Sequence, residues 1–376
     1  MTPSLRQRSS AAPLALVYAA LALYASLYPF SGWRWPPGPS LGALLALPWP
    51  PWRDPFDVWS NVLGYMPLGV LLYVAQVRSG RTAWRSALLA VIAASALSYL
   101  TEVTQQFLPR RVPSRVDWTL NSAGAAAGAA LAALMHALGL LQRWQAMRER
   151  WFLRDSAGGL SLLALWPVGL LFPTPVPLGV GHVARQLRGA LADLLDDMAW
   201  AQGLAAMLEE PSAWVQPQPL PPLSDGLVQL LGVLAPCLVA FSVARRGWRR
   251  AAIVLGLPVL GVAITTLSTA LSFGPANALA WVTPQTLPAL ALGTLLAALC
   301  ALLEPRAAAG LGLAVLGALV VLVSQAPVDP YFAHSLQSWE QGRFIRFNGL
   351  ALWIGWLWPY AAMIWLLSRL GAARGD

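Results

Sequence analysis

Residues 87–107 read ALLAVIAASALSYLTEVTQQF. A helix of that length rises about 31 Å, the thickness of a bilayer's hydrocarbon core. Between Arg85 and Glu102 it carries no charged residue, and its polar residues are not scattered. Ser95, Ser98, Glu102, Gln105 and Gln106 stand at i, i+3, i+7, i+10 and i+11, which is one face of a helix. This is a membrane-spanning helix with a polar stripe, and the rest of the chain repeats the pattern.

Apolar runs fall near 12–30, 58–77, 87–107, 118–141, 156–173, 226–244, 251–272, 286–303, 308–324 and 348–368. The composition agrees. The chain has 376 residues, 57% of them hydrophobic and 11% charged, with mean hydropathy +0.57; a soluble domain carries about 25% charged residues. A transmembrane β-barrel would show alternating segments of ~10 residues instead of continuous runs. The expected fold is all-α, a polytopic integral membrane helix bundle with about ten transmembrane helices. Residues 1–150 form a first membrane domain of four helices. Residues 151–376 form a second of about six, with an outer segment near 174–225.

The net charge of +9 suggests nucleic acid only if location is ignored. The arginines cluster in short loops: Arg78 to Arg85, Arg143 to Arg154, and the RRGWRR of 245–250. With ten spans, these loops and both termini fall on the cytoplasmic side, as the positive-inside rule asks. The localisation that follows is the bacterial cytoplasmic (inner) membrane, with lipids as partners and no nucleic acid. Nothing in the sequence fixes the oligomeric state. The N-terminal run from Ala11 to Phe30 is long and has no small-x-small cleavage site after it, so it reads as an uncleaved signal anchor. Cys237 and Cys300 lie in apolar runs, and His136, His182 and His334 are far apart. Neither set suggests a metal or a cofactor.

One basic loop sits on the opposite side. Residues 109–117 read PRRVPSRVD, and carboxylates surround them. The other outer loops are rich in Trp and Pro: WRWPPGP (33–39), PWPPW (48–52) and QPQPLPP (216–222). Tryptophan prefers the membrane interface. His182 to Glu210 has helical spacing and reads as a short packing or interfacial helix. The segment from Pro327 to Asn348 reads as a solvated loop. Thr265, Thr266, Ser268 and Thr269 read as packing residues whose hydroxyls bond to helix backbone. The second half shows no repeat of the first, so inverted-repeat transporter architecture is unsupported.

Three polar stripes reach the outer ends of successive helices. Asp57, Asn61 and Tyr65 line the second helix. Ser98, Glu102 and Gln105 line the third. Asp117 and Asn121, followed by Gly124 and Gly128, line the fourth. Arg111, Ser114 and Arg115 join the third to the fourth. An ionised side chain at the bilayer centre costs roughly 2.5–3.5 kcal/mol on insertion scales, so such residues usually face a partner or a water-filled cavity. Arginine presents a planar fork suited to phosphate or carboxylate. These eleven residues are therefore the expected ligand-binding set, in an outward-opening cavity for an anionic lipid-linked or amphiphilic molecule. An ion-pair network that only fixes helix register is the competing reading.

The order D-x-x-x-N-x-x-x-Y-x-P-x-G (Asp57 to Gly69), S-x-x-x-E-x-x-Q (Ser98 to Gln105) and P-x-R-x-x-S-x-x-D-x-x-x-N-x-x-G-x-x-x-G (Pro109 to Gly128) resembles the VanZ-like family. The resemblance covers roughly residues 15–141. It implies a multi-helix bacterial membrane domain of the cell envelope. It also implies an association with resistance to the glycopeptide teicoplanin, and so a lipid-linked envelope precursor as a candidate partner. Two other functions stay open. One is an intramembrane enzyme acting on a phosphate or lipid headgroup, with Glu102 or Asp117 as base. The absence of a nucleophile–histidine pair near the cluster counts against covalent catalysis there. The other is a transporter or lipid flippase, favoured by helix number alone.

Overall fold

The computed structural model describes residues 11–27, 32–36, 40–49, 55–109, 111–153, 155–181, 183, 195, 203, 220–326 and 345–371. The helix expected over His182–Glu210 falls almost wholly outside them, as do Arg110 and positions 327–344 of the loop expected before Asn348. Among the described residues every regular element is helical, and the single β-bridge joins Phe152 to Ala244.

The chain divides into two compact units, residues 1–150 and 151–376. The first holds α1 (Ala11–Leu27), α2 (Leu41–Leu45), α3 (Pro55–Arg78), α4 (Ala83–Gln105), α5 (Arg115–Ala137) and most of α6 (Leu140–Trp151). Its densest packing is α3 against α5, with α4 covering both. Small residues allow this. A Cβ added at Gly69 would run into the Ala125 carbonyl, one at Gly124 into the Val62 carbonyl, and one at Gly128 into the Met66 carbonyl. The two backbones touch, as small-residue interfaces permit in lipid, where dispersion rather than water exclusion holds helices together. Ala90, Ala94, Ala125, Ala129 and Ala132 fill the rest of the seam, with Leu68 and Tyr73 buried across it.

Ser114 starts α5. Its hydroxyl accepts from the backbone N–H of Val116 (3.0 Å) and Asp117 (3.3 Å), satisfying two donors of the first turn. Exposed tryptophans mark both ends of this unit: Trp59 at the start of α3, and Trp84 and Trp144 at the other end. Leu63, Leu88, Ile92 and Leu100 are exposed between those ends, a surface that suits lipid and not water.

The second unit contains α7 (Ala157–Leu170), α8 (Pro222–Phe241), α9 (Trp248–Phe273), α10 (Thr286–Cys300), α11 (Pro305–Ser324) and α12 (Ile345–Gly371). Helix α8 is central: every residue from Val228 to Phe241 is buried except Leu231. It packs against α10 and α11, while α12 packs against α7 and α11. Residues 171–181 have no helix, yet Phe172, Val176, Leu178 and Val180 are buried among α7, α8 and α9.

Each of the ten apolar runs is a helix, but their lengths differ. Six helices are long and apolar enough to cross a bilayer, and a seventh span results if α5 and α6, bent by 74°, count as one. The other three, α1, α7 and α10, are apolar but have only 17, 14 and 15 residues. The count of about ten spans is thus corrected to six or seven by length. Hydropathy marks what is apolar; helix ends are set by caps and turns that a hydropathy window averages away. The molecule is a polytopic helical membrane protein all the same.

Candidate functional site

Helices α3, α4 and α5 bring a chain of buried polar groups together. Asn121 Nδ2 donates to Ser98 Oγ at 2.9 Å. The Tyr65 phenol lies against Ser98 and Thr101 and is close enough to Glu102 and Tyr18 to interact electrostatically. Glu102 Oε2 accepts from the backbone N–H of Ser114 at 2.8 Å. Ser98, Thr101, Glu102, Gln105, Ser114, Asn121 and Tyr65 are all buried, Glu102 at 4% exposure. A carboxylate at that depth needs hydrogen-bond donors, and the α5 N-cap supplies one. Asn121 Oδ1 is also buried and has no hydrogen-bond partner among the described residues.

The remaining expected residues bind the ends of α1 and α2. Gln105 Nε2 donates to Ser26 O at 2.9 Å, and Arg111 Nη2 to Ala25 O at 3.2 Å. Arg115 Nε donates to Ala46 O at 2.8 Å, Gln106 to Leu44 O, and the Tyr99 hydroxyl to Leu45 O at 2.7 Å. The last carbonyls of a helix have no partner within it, and they carry partial negative charge. Cationic and amide donors are therefore well placed there. Arg115 is exposed, and Arg111 is partly buried.

Two expected members stand apart. Asp57 is exposed in the first turn of α3, and neither it nor Asn61 makes a hydrogen bond or ion pair with the chain of groups above. Asp57 instead carries negative charge at a helix N-terminus, a favourable place for it. Asp117 is partly buried in the first turn of α5 and accepts, through its backbone N–H position, the capping bond already described. Thr101 belongs to the buried chain and was not among the expected residues. Its signal was available, since it stands three residues after Ser98 on the same face of α4.

A second arginine cluster was read as topology alone. In the RRGWRR loop, Arg250 is 1% exposed. It makes five hydrogen bonds to four carbonyls: Phe241 and Ala244 just after α8, and Ala301 and Leu303 just after α10. Its guanidinium also lies 5.4 Å from the centre of the Phe241 ring. This residue ties two helix C-termini together.

Among the described residues no group of His, Cys, Asp and Glu is arranged to hold a metal ion. The VanZ/LLP1 family model matches residues 13–136, close to the span over which the motifs resemble that family. The N-terminal third of the chain is VanZ-like, and the match lies wholly inside the first unit. No curated protein and no solved structure matches the chain.

Proposed function

We propose that the VanZ-like unit binds an anionic amphiphile where α4 turns into α5. The observation that carries this is the position of Arg111 and Arg115 on either side of Ser114, whose backbone is held by the buried Glu102. Two guanidinium groups thus sit at the rim of a buried polar chain. Arg115 spends Nε and Nη2 on one carbonyl and keeps its remaining N–H donors at an exposed position. A phosphate or carboxylate fits that fork. The unpartnered Asn121 Oδ1 below would take a hydroxyl or ammonium donor from the same ligand. The ligand class is a lipid-linked or amphiphilic envelope molecule in a bacterial inner membrane, and altered teicoplanin sensitivity is the phenotype to examine.

A second reading has its own observation. Arg111, Arg115, Gln105 and Gln106 all donate to carbonyls at the ends of α1 and α2, which is what a scaffold would do. The test separates the two. Arg115→Gln and Glu102→Gln are purified, and both melting temperature and co-purifying lipid are measured. For a binding site, Arg115→Gln melts close to wild type, because the side chain is exposed and water replaces its bond, while the anionic lipid is lost. Glu102→Gln can still accept from Ser114, so it folds but holds less ligand. A lower melting temperature with lipid content unchanged leaves the scaffold alone.

A further inference from the structure

The end of the first unit remote from that site carries a helix that the proposed function does not use. Helix α6 has no buried residue and follows α5 across a 74° bend. If α5 crosses the bilayer, α6 runs along its surface. Leu140, Trp144 and Met147 stand at i, i+4 and i+7, one face of the helix, and are 36%, 57% and 44% exposed. Arg143 and Arg150, seven residues apart, flank this stripe, and both are exposed. Glu149, the helix's one acidic residue, lies on the opposite face and accepts from Gln145 there (3.4 Å). Arg148, on the other flank, lies close enough to Arg78 of α3 for the two charges to repel each other. Trp84, exposed at the start of α4, marks the same end of the unit.

We propose that α6 is seated on the anionic headgroups of the membrane. Its apolar stripe enters the boundary between headgroup and acyl chain, and Arg143 and Arg150 meet lipid phosphates. The arrangement is that of an interfacial helix: apolar residues on one face, cations at its edge, the carboxylate turned to water. Neutral surfaces would satisfy the stripe but leave the edge arginines and the Arg78–Arg148 pair without counter-charge. This site is separate from the one at the α4–α5 turn and does not depend on it.

Hydrogen exchange of residues 140–150 tests this in the full-length protein, in nanodiscs of phosphatidylcholine alone or with one part in three phosphatidylglycerol. An arginine near an anionic surface contributes on the order of fivefold in affinity. Exchange should therefore slow at least several-fold in the anionic discs. The double variant R143Q/R150Q should lose the difference, while E149Q keeps it. All three positions are exposed, so folding is not at issue. Equal exchange in both compositions overturns the proposal, as does a phosphatidylglycerol effect that survives R143Q/R150Q. Protection by soluble glycerol phosphate in neutral discs also overturns it, since the partner would then be a free anion and not a lipid surface.

Discussion

Arg250 and Glu102 are both buried charges, and they differ in what surrounds them. Arg250 spends its donors on four carbonyls that α8 and α10 leave unsatisfied. Removing it strands those carbonyls in an apolar interior, at a cost of roughly 1–3 kcal/mol for each that finds no water. Arg250→Ala should thus lose on the order of 3 kcal/mol or more. Arg250→Lys should recover part of that, since a single ammonium cannot reach all four acceptors. Thermal melts of the purified protein, followed by tryptophan fluorescence, check the order wild type, Lys, Ala; equal melting of Lys and Ala would contradict the capping role. Glu102 has the Ser114 N–H and an electrostatic neighbour in Tyr65. It is held by a helix start rather than by helix ends.

At the scale of elements, the seam between α3 and α5 depends on three glycines. At Gly124 and Gly128 the obstacle to a side chain is a backbone carbonyl, which cannot rotate away. Gly128→Ala must push the helices apart, opening voids at Ala125 and Ala129, and overpacking of this kind costs about 1–3 kcal/mol. Gly64 lies on the same α3 with nothing within 4 Å of an added Cβ. Gly64→Ala should leave the melting temperature unchanged or slightly raised, as alanine is the better helix former. A melt in which both variants behave alike would mean the close approach is not what holds the pair. The motif spacing pointed to Gly124 and Gly128 as small-residue positions, but only the packed helices identify Val62 and Met66 as the residues they meet.

For the whole molecule, topology is the testable quantity. The arginine distribution predicts that both termini face the cytoplasm, which requires an even number of crossings. Six crossings satisfy this, and so do all ten apolar helices; seven do not. A reporter fused after Asp376 and another placed ahead of α1 should therefore both report the cytoplasmic side. A C-terminal reporter on the outer side would make the crossing number odd and would reverse the assigned side of the loops in the second unit. What the sequence by itself determined was the class of the protein. Continuous apolar runs leave a chain no choice but helices in lipid, because backbone groups there must bond within their own segment. It also determined which residues share a face, since the 3.6-residue repeat is local. The VanZ-like character of residues 13–136 was legible for the same reason: motif spacing is a property of the chain. The tertiary structure decided the rest. It decided that Tyr65, Ser98, Thr101, Glu102 and Asn121 form one buried chain while Asp57 and Asn61 stay outside it. It decided that the arginines of two loops cap helix ends, and that α6 turns aside from α5. Each of these depends on the rotation and depth of one helix against another. Those are set by side-chain volumes meeting across a seam, and no periodicity within a single helix carries that information.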